Sequence, residues 1–386
     1  MIRAVSIFRD EPDTLRSAMQ VGQQAVAELG ASPDWCILYA TAEHAARHPQ
    51  LLEALQQTTG TPYLVGCSVA GIIAADREVE SGPALGLLAV RSDTISATAF
   101  RFPIDGDGGL AAGTYIGQRL HTSQSSEDLV LVWPDPFAVR PRLLLEGIDA
   151  VLGGVPVAGA AAAGHPERPE TFQFHGTDGE GGAVAGLRLG GSFRHRVAVG
   201  QGCRIVEEPC RITRAHDNLI LEIEGAPALE ALRRRIPGAG EPGGPGLGSV
   251  FIGLPPEAAD DDCRDWPLRP LVAFDPDTGV LVVSERVGEG QSLVFATRDG
   301  RAARDALAGR LAVLSEEPWT PAFGLYFNCL GRGEALYGEA GVDSGLIRRY
   351  FPDLPLLGCF GNVEIAPFAG ENRVLMQSGV LVLVGE

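Results

Sequence analysis

A thiol and a carboxylate follow one short apolar segment near the C-terminus of this 386-residue chain. The segment LPLLGCFGNVEIAP (residues 354–367) carries Gly358, Cys359 and then Glu364. A glycine turn at a strand end exposes backbone N–H groups that can bind an anion, and Glu364 could bind an amino group. Cys359 could act as a nucleophile, although a buried cysteine usually behaves as a small apolar residue. The segment therefore predicts a ligand-facing rim in which the cysteine is optional.

An arginine flanked by glycines follows another apolar strand, in NCLGRGEALYGE (residues 328–339). Backbone donors and the Arg332 guanidinium could hold a carboxylate or a phosphate there, whereas an ordinary glycine turn with a surface arginine explains the same residues. The pattern is not a P-loop. If Glu364 lies opposite Arg332, the two side chains would clamp both charges of an amino acid. The other residues that we assign to this site are Asn328, Cys329 and Gly331.

A third polar group is QGCRI (residues 201–205), which also follows a strand pattern. Gln201, Cys203 and Arg204 could form a further polar wall of a binding site. An exposed strand end would account for the same three side chains.

The C-terminal motif has two earlier counterparts. TPYLVGCSVAGIIAAD (residues 61–76) also leads from a proline through an apolar strand to a glycine and a cysteine, and GVPVAGAAAAGHPE (residues 154–167) has alanine in place of the cysteine. An apolar strand and an amphipathic helical stretch precede each copy, and another strand follows it. The residues that we assign to the rim in these two copies are Gly66, Cys67, Ser68, Gly71 and Gly159.

These units predict an α/β protein whose mixed β-sheets pack against helices, built from strand-helix-strand-glycine-turn repeats in two related halves. We expect an N-terminal domain with two units over residues 1–237 and a C-terminal domain with one unit over residues 249–386. The Gly/Pro-rich stretch over residues 238–248 is the predicted linker between them.

The composition excludes several classes of function. The net charge is −18 and all 31 basic residues are arginine, which argues against a nucleic-acid partner and excludes a Schiff-base or P-loop lysine. Seven cysteines without a close pair indicate a reducing compartment, and no segment predicts secretion or membrane insertion. We therefore expect a cytoplasmic protein. His44 and His48 have no acidic or cysteine cluster beside them, so we expect surface histidines and neither a metal nor a cofactor.

Several of these segments, in this order, resemble the FIST domain family, a sensory domain of bacteria and of F-box proteins. They are LVGCSVAGII, VAVGQGCRI with ITRAHDNLILEIEGAPALEAL, VAFDPDTGVLVVSERVGEGQSLVFATRD, YFNCLGRGEALYGE and LPLLGCFGNVEIAPFAG. The family motif around Glu364 reads Gly-Glu-Ile-Gly-Pro. This chain departs from it by having Val363 and Ala366 in place of the two glycines. The resemblance covers nearly the whole chain and includes both an N-terminal and a C-terminal FIST part.

The resemblance implies a non-enzymatic sensor of small molecules, with amino acids or small carboxylates as ligands, that passes its signal to a separate signalling protein. Two alternatives stay open. One is a thiol-dependent amidase or transferase, with Cys67, Cys329 or Cys359 as the nucleophile and Glu364 or a histidine as the base. The other is a protein-interaction module that uses the acidic surface.

Overall fold

Three six-stranded sheets repeat one pattern of strands in the computed structural model. The structure describes residues 1–74, 77–106, 108–121, 128–165, 167–241, 243–256, 263 and 266–386. The first sheet contains, in spatial order, β1 (Ile2–Arg9), β6 (Leu85–Ser92), β2 (Trp35–Thr41), β3 (Tyr63–Val69), β10 (Gln173–His175) and β11 (Asp178–Glu180). The second contains β26 (Glu371–Leu375), β25 (Glu364–Phe368), β9 (Val157–Ala160), β8 (Leu129–Pro134), β12 (Ala183–Gly191) and β7 (Ile95–Pro103). The third contains β13 (Arg194–Gln201), β27 (Ser378–Gly385), β23 (Pro321–Cys329), β24 (Leu356–Gly361), β4 (Gly71–Ala74) and β5 (Arg77–Val79).

A fourth sheet has nine strands and is inserted within the third unit's part of the chain. Its main path is β19 (Leu268–Pro270), β18 (Val250–Gly253), β22 (Ser292–Arg298), β15 (Cys210–His216), β16 (Leu219–Ile223), β21 (Leu281–Val282) and β20 (Ala273–Phe274). Two short strands lie off this path, β14 (Cys203–Ile205) on β22 and β17 (Ala226–Pro227) on β16. Strands from both sides of residues 238–248 share this sheet, and the domain boundary that we placed there stays a prediction.

Helices cover the outer faces of the sheets. They are α1 (Thr14–Leu29), α2 (His48–Thr59), α3 (Leu110–Leu120), α4 (Pro141–Leu152), α5 (Ala228–Arg235), α6 (Gly300–Ser315), α7 (Glu334–Tyr337) and α8 (Val342–Tyr350), with short 3-10 helices at Ala42–Arg47 and Leu247–Ser249. Apolar side chains of α1 and α2 pack on the first sheet, those of α4 on the second, and those of α6 and α8 on the third. The inner faces of the three sheets form one shared apolar core.

Each unit contributes one parallel strand pair joined through helix: β2 with β3, β8 with β9, and β23 with β24. A hairpin extends from each unit and pairs with one strand of the parallel pair in another unit. The first unit's β4–β5 pairs with β24, the second unit's β10–β11 with β3, and the third unit's β25–β26 with β9. The predicted α/β class with mixed sheets and related units is confirmed, and the units are interlocked by strand exchange.

The repeated glycine lies inside its strand and not in a turn after it. Gly66 and Gly159 both have a φ of 156°, and a Cβ on either would lie 1.9 Å from a backbone oxygen, that of Leu38 or Val132. Each of these oxygens belongs to the residue in register on the parallel neighbour. The glycine is therefore required because two strands approach closely there, which corrects our expectation of a glycine turn.

Candidate functional site

The residues that follow the repeated glycines point into the shared core. Cys67 and Cys359 are 1% and 0% exposed, and burial raises the pKa of both thiols well above the usual range. Ala160 occupies the corresponding position of the second unit and is also buried. These positions therefore belong to the apolar core, and the backbone of Gly66, Gly159 and Gly358 likewise lies within paired strands.

Arg332 is fully buried in a network of hydrogen bonds. Its Nε and Nη2 atoms each donate to one oxygen of Asp343 at 3.1 Å, and Nη1 donates to the carbonyl oxygen of Gly200 at 3.1 Å. Nη2 also donates to the Tyr337 hydroxyl at 2.6 Å. Burial alone lowers the pKa of Arg332, but Asp343 raises it well above its ordinary value. The guanidinium is thus engaged by the protein itself, which corrects the expected open anion clamp.

Asp343 is the acceptor around which this network forms, and our sequence reasoning missed it. Besides Arg332, its carboxylate accepts hydrogen bonds from Tyr326, Tyr337 and Asn328 at 2.7–3.1 Å. An aspartate in the first turn of a short helix gives no signal of burial. Only its five hydrogen bonds, which come from β23, from α7 and from the loop between them, account for a charge in the interior.

Glu364 and Cys329 meet in a second buried cluster. Glu364 is 0% exposed, and its Oε2 accepts a hydrogen bond from the Ser378 amide at 3.3 Å, while Oε1 has no partner among the described residues. Burial raises the pKa of Glu364 well above its ordinary value, so the neutral acid is favoured. Burial and then Glu364 raise the pKa of Cys329 to about 12. Since neither Glu364 nor Arg332 is exposed, the predicted amino-acid clamp does not face an open cleft.

The remaining small and polar residues of the predicted rim make close structural contacts with neighbouring segments. The Ser68 hydroxyl accepts a hydrogen bond from the Phe172 amide at 2.9 Å. A Cβ on Gly71 would lie 2.4 Å from the carbonyl oxygen of Val79, and one on Gly331 would lie 2.3 Å from the side chain of Gln377. Ser68 therefore fastens the first unit to the second, whereas Gly71 and Gly331 allow close contacts within their own units.

Gln201, Cys203 and Arg204 do converge, at a groove between β13–β14 and α6. The cavity has a volume of about 700 Å³. We call its apolar lining residues the floor, and charged side chains line it from α6 and from β14. The lining residues are Val199, Gln201, Cys203, Arg204, Ile205, Leu268, Ala302, Asp305, Ala306, Gly309, Arg310, Val313 and Phe368.

The groove is built by a tight connection and a capped helix. Gln201 bridges two backbone groups: its amide donates to the Trp266 carbonyl oxygen at 3.1 Å and accepts from the Leu268 amide at 3.2 Å. Asp299 caps α6 by accepting from the Ala302 amide at 2.9 Å, and it also pairs with Arg204 at 3.0 Å. Both contacts, the backbone bond first, lower the pKa of Asp299. Asp299 therefore holds Arg204 in place at the edge of the groove.

The groove carries both signs of charge. Arg204, Arg310 and Asp305 line it, and all three are exposed. Burial raises the pKa of Cys203 to about 12, so its thiol is a weak nucleophile. Our sequence reasoning missed Asp305 and Arg310, because polar residues on the exposed side of an amphipathic helix resemble any solvated face. A second cavity of about 310 Å³ continues the groove and shares Val199, Arg310, Val313 and Phe368 with it.

The histidines differ from our expectation of a surface position. His44 and His48 are each 1% exposed. The His44 Nδ1 atom hydrogen-bonds with the Thr14 hydroxyl at 2.9 Å, and the His48 ring packs edge-on against Phe172 and Phe174. Within the described ranges, His, Cys, Asp and Glu side chains form no group of three suited to a metal ion.

Among the described residues, every helix is too short or too polar to span a bilayer. The seven cysteines form no disulfide bond with one another.

Comparison with known proteins gives two groups of similar chains. An uncharacterized protein of Mycobacterium tuberculosis is 32% identical over 372 residues, which cover 94% of each chain. An uncharacterized protein of Mycobacterium bovis is 32% identical over 371 residues, again 94% of each.

Among solved structures, a cyanuric acid hydrolase covers 100% of this chain and 99% of its own at 10% identity and a TM-score of 0.36. A cyanuric acid hydrolase of A. caulinodans covers 49% of this chain and 71% of its own at 10% identity and a TM-score of 0.29. At such scores the structural likeness carries no inference.

Two family models match consecutive parts of the chain. The FIST N domain matches residues 34–226 and the FIST C domain matches residues 228–367. Together with the relatives that align over nearly their whole length, these matches show that the chain belongs to the FIST family.

Proposed function

We propose that this protein is a non-enzymatic sensor that binds an amino acid or a small carboxylate in the groove between β13–β14 and α6. FIST domains are sensory domains, and a sensory domain needs a site for its ligand. The observation that carries the proposal is the groove itself, because opposite charges stand beside an apolar floor there. Its volume of about 700 Å³ lies in the range of small-molecule sites.

The charged groups of the groove match the two ends of an amino acid. Arg204 and Arg310 can donate paired hydrogen bonds to a carboxylate, for which the planar guanidinium is well suited. Asp305 can accept from the ammonium group. Val199 and Phe368 offer the apolar surface for a side chain. A simple carboxylate would use the arginines and the floor alone.

A separate protein would receive the signal, and we place both partners in the cytoplasm. Seven cysteines that form no disulfide with one another fit a reducing compartment. Helix α6 connects the groove to the third sheet, since Leu307, Leu311 and Leu314 are buried against that sheet. A ligand that draws α6 toward β13 would therefore change the surface that a partner contacts.

Thermal unfolding with a panel of amino acids and small carboxylates tests the proposal. A ligand that binds only the native state stabilises it by about 2.7 kcal/mol at a hundred times its Kd. We expect a concentration-dependent rise in Tm for wild type, a reduced rise for Arg310→Gln, and the wild-type rise for Arg349→Gln. Arg349 is an exposed helical arginine outside the groove. The absence of any shift across the panel, or an equal shift in Arg310→Gln, would contradict the proposal.

The thiol-enzyme alternative has one arrangement in its favour, because Cys329 does meet Glu364. However, Cys329 is only 4% exposed, and a thiol whose pKa is raised to about 12 supplies little thiolate at neutral pH. Iodoacetamide labelling of the native protein should therefore be slow at Cys329. Rapid, stoichiometric labelling of Cys329 at pH 7 would favour the enzyme instead.

A further inference from the structure

The second unit differs from the other two where its parallel strand pair ends. In the first unit only Ala70 separates β3 from β4, and in the third only Asn362 and Val363 separate β24 from β25. In the second unit, residues 161–172 separate β9 from β10. Long connections in a compact fold are commonly functional, and the carboxyl ends of parallel strands are where α/β proteins bind ligands.

Both ends of this connection are fastened to neighbouring strands. The Ala162 amide donates to the Pro134 carbonyl oxygen at 3.0 Å, and the Ala163 amide donates to the Ser68 carbonyl oxygen at 3.0 Å. At the other end, the Ser68 amide donates to the Phe172 carbonyl oxygen at 2.8 Å, and the Ser68 hydroxyl accepts from the Phe172 amide at 2.9 Å. Ser68 of the first unit thereby anchors both ends of the connection.

The connection encloses a pocket of about 310 Å³ against the third unit. Phe137, which follows β8, and Leu330, which follows β23, both line this pocket. They are 59% and 44% exposed. Large apolar side chains at this exposure, both on one small pocket, provide the walls for an apolar ring.

Polar groups complete the lining. Arg168 offers a guanidinium that is largely exposed and lies 3.8 Å from Glu170, a weak surface pair. The His165 Nδ1 atom accepts a hydrogen bond from the Glu167 amide at 3.2 Å, so in the neutral ring the proton is on Nε2, which can donate. Asn362 adds an amide. Glu167 also lines the pocket, and its carboxylate can accept from an amino substituent on a ligand that reaches it.

We propose that this pocket, between residues 161–165 and 167–171 of the second unit and Leu330 and Asn362 of the third, is a second binding site for a small aromatic carboxylate. The ring lies between Phe137 and Leu330, and the carboxylate pairs with Arg168. Residues of two interlocked units line the pocket, so a ligand there stabilises their contact. This site is separate from the groove beside α6, because the lining residues of the two cavities do not overlap.

Ligand-observed NMR with 4-fluorobenzoate as the probe tests this site. We expect a measurable Kd for wild type and a rise of about tenfold in Arg168→Gln, which removes one charge-assisted pair. Phe137→Ala should weaken binding by a similar factor, and cyclohexanecarboxylate should compete less well than benzoate. Arg310→Gln, which alters the groove, should leave this Kd unchanged. All three side chains are exposed, and an unchanged Tm without ligand verifies that each variant is folded.

Two results would overturn this inference. One is the absence of probe binding at millimolar concentrations. The other is a Kd that is unchanged in both Arg168→Gln and Phe137→Ala, which would place the probe elsewhere. In that second case, loss of probe binding in Arg310→Gln would place the probe in the groove. The groove proposal and this one can therefore fail independently.

Discussion

Replacing Arg332 by leucine should destabilise the protein strongly, although the sequence pattern suggested a ligand-binding role for this arginine. The guanidinium is 0% exposed and donates to Asp343, Gly200 and Tyr337. Leucine has a similar apolar stem but none of these donors. The substitution therefore removes the only positive charge that contacts Asp343 among the described residues.

The size of this destabilisation follows from the hydrogen-bond donors that remain around Asp343. Its carboxylate is 0% exposed and would keep only three neutral donors, from Tyr326, Asn328 and Tyr337. Removing one partner of a buried ion pair costs about 3–5 kcal/mol. A typical surface substitution costs within about 0.5 kcal/mol. Because native proteins are stable by only about 5–15 kcal/mol, the loss should be evident in any unfolding measurement.

Urea unfolding, followed by the fluorescence of the four tryptophans, measures this loss. The matched set is Arg332→Leu, Asp343→Leu and the double variant, with Arg349→Gln as the surface control. Since each single variant leaves the other charged or polar group unpaired, the double variant should be less destabilised than the sum of the two, by at least about 1 kcal/mol. Arg349→Gln should keep the wild-type midpoint.

One result would refute this reasoning. If Arg332→Leu unfolded at the wild-type urea concentration and yet lost the ligand-induced rise in Tm, Arg332 would be a ligand-binding residue, and the ion pair with Asp343 would contribute nothing to stability.

Two further predictions concern buried positions of the first and second units. Burial, and then His44, lowers the pKa of His48 from 6.5 to about 4. The unfolded chain therefore binds the proton more readily than the folded chain does. The stability that is present above pH 6.5 is lost as the pH falls toward 4, by roughly 3 kcal/mol. The free energy of unfolding of His48→Leu should show a smaller loss than wild type between pH 7 and pH 4.5, and equal slopes would contradict this. Gly159→Ala places a Cβ 1.9 Å from the Val132 oxygen and should cost more than about 2 kcal/mol by urea unfolding. Gly345→Ala is the control, because Gly345 lies within α8 and has open space around the new Cβ, and it should be neutral or stabilising. Equal effects of Gly159→Ala and Gly345→Ala would contradict the explanation that Gly159 is required by the close approach of two strands.

The repeated units could be predicted because each is encoded locally. An apolar strand, an amphipathic helix and a second apolar strand each have a period that follows from the geometry of one element. The start of α6 is also encoded locally, since Asp299 precedes the helix and accepts from the Ala302 amide as a cap does. The small residue at Gly66 was visible as a repeat, but its cause was not, because the oxygen of Leu38 that requires it belongs to another strand.

The candidate site was predictable only in part. Gln201, Cys203 and Arg204 were chosen from the sequence and line the groove together. Asp305 and Arg310, which face them from α6, were not found. The two sets are about a hundred residues apart in the chain, and their approach depends on α6 packing against β13, a long-range contact without a local pattern.

By itself, the sequence determined the local elements, the recurrence of one unit and the absence of lysine chemistry. These properties depend on residue type and on spacing within a single element. Only the tertiary structure decided that Arg332 is buried, that Glu364 is closed off from solvent, and that each unit completes the sheet of another. The physical reason is that burial and strand pairing arise from groups brought together across the whole chain, and the stability of a charge depends on those groups.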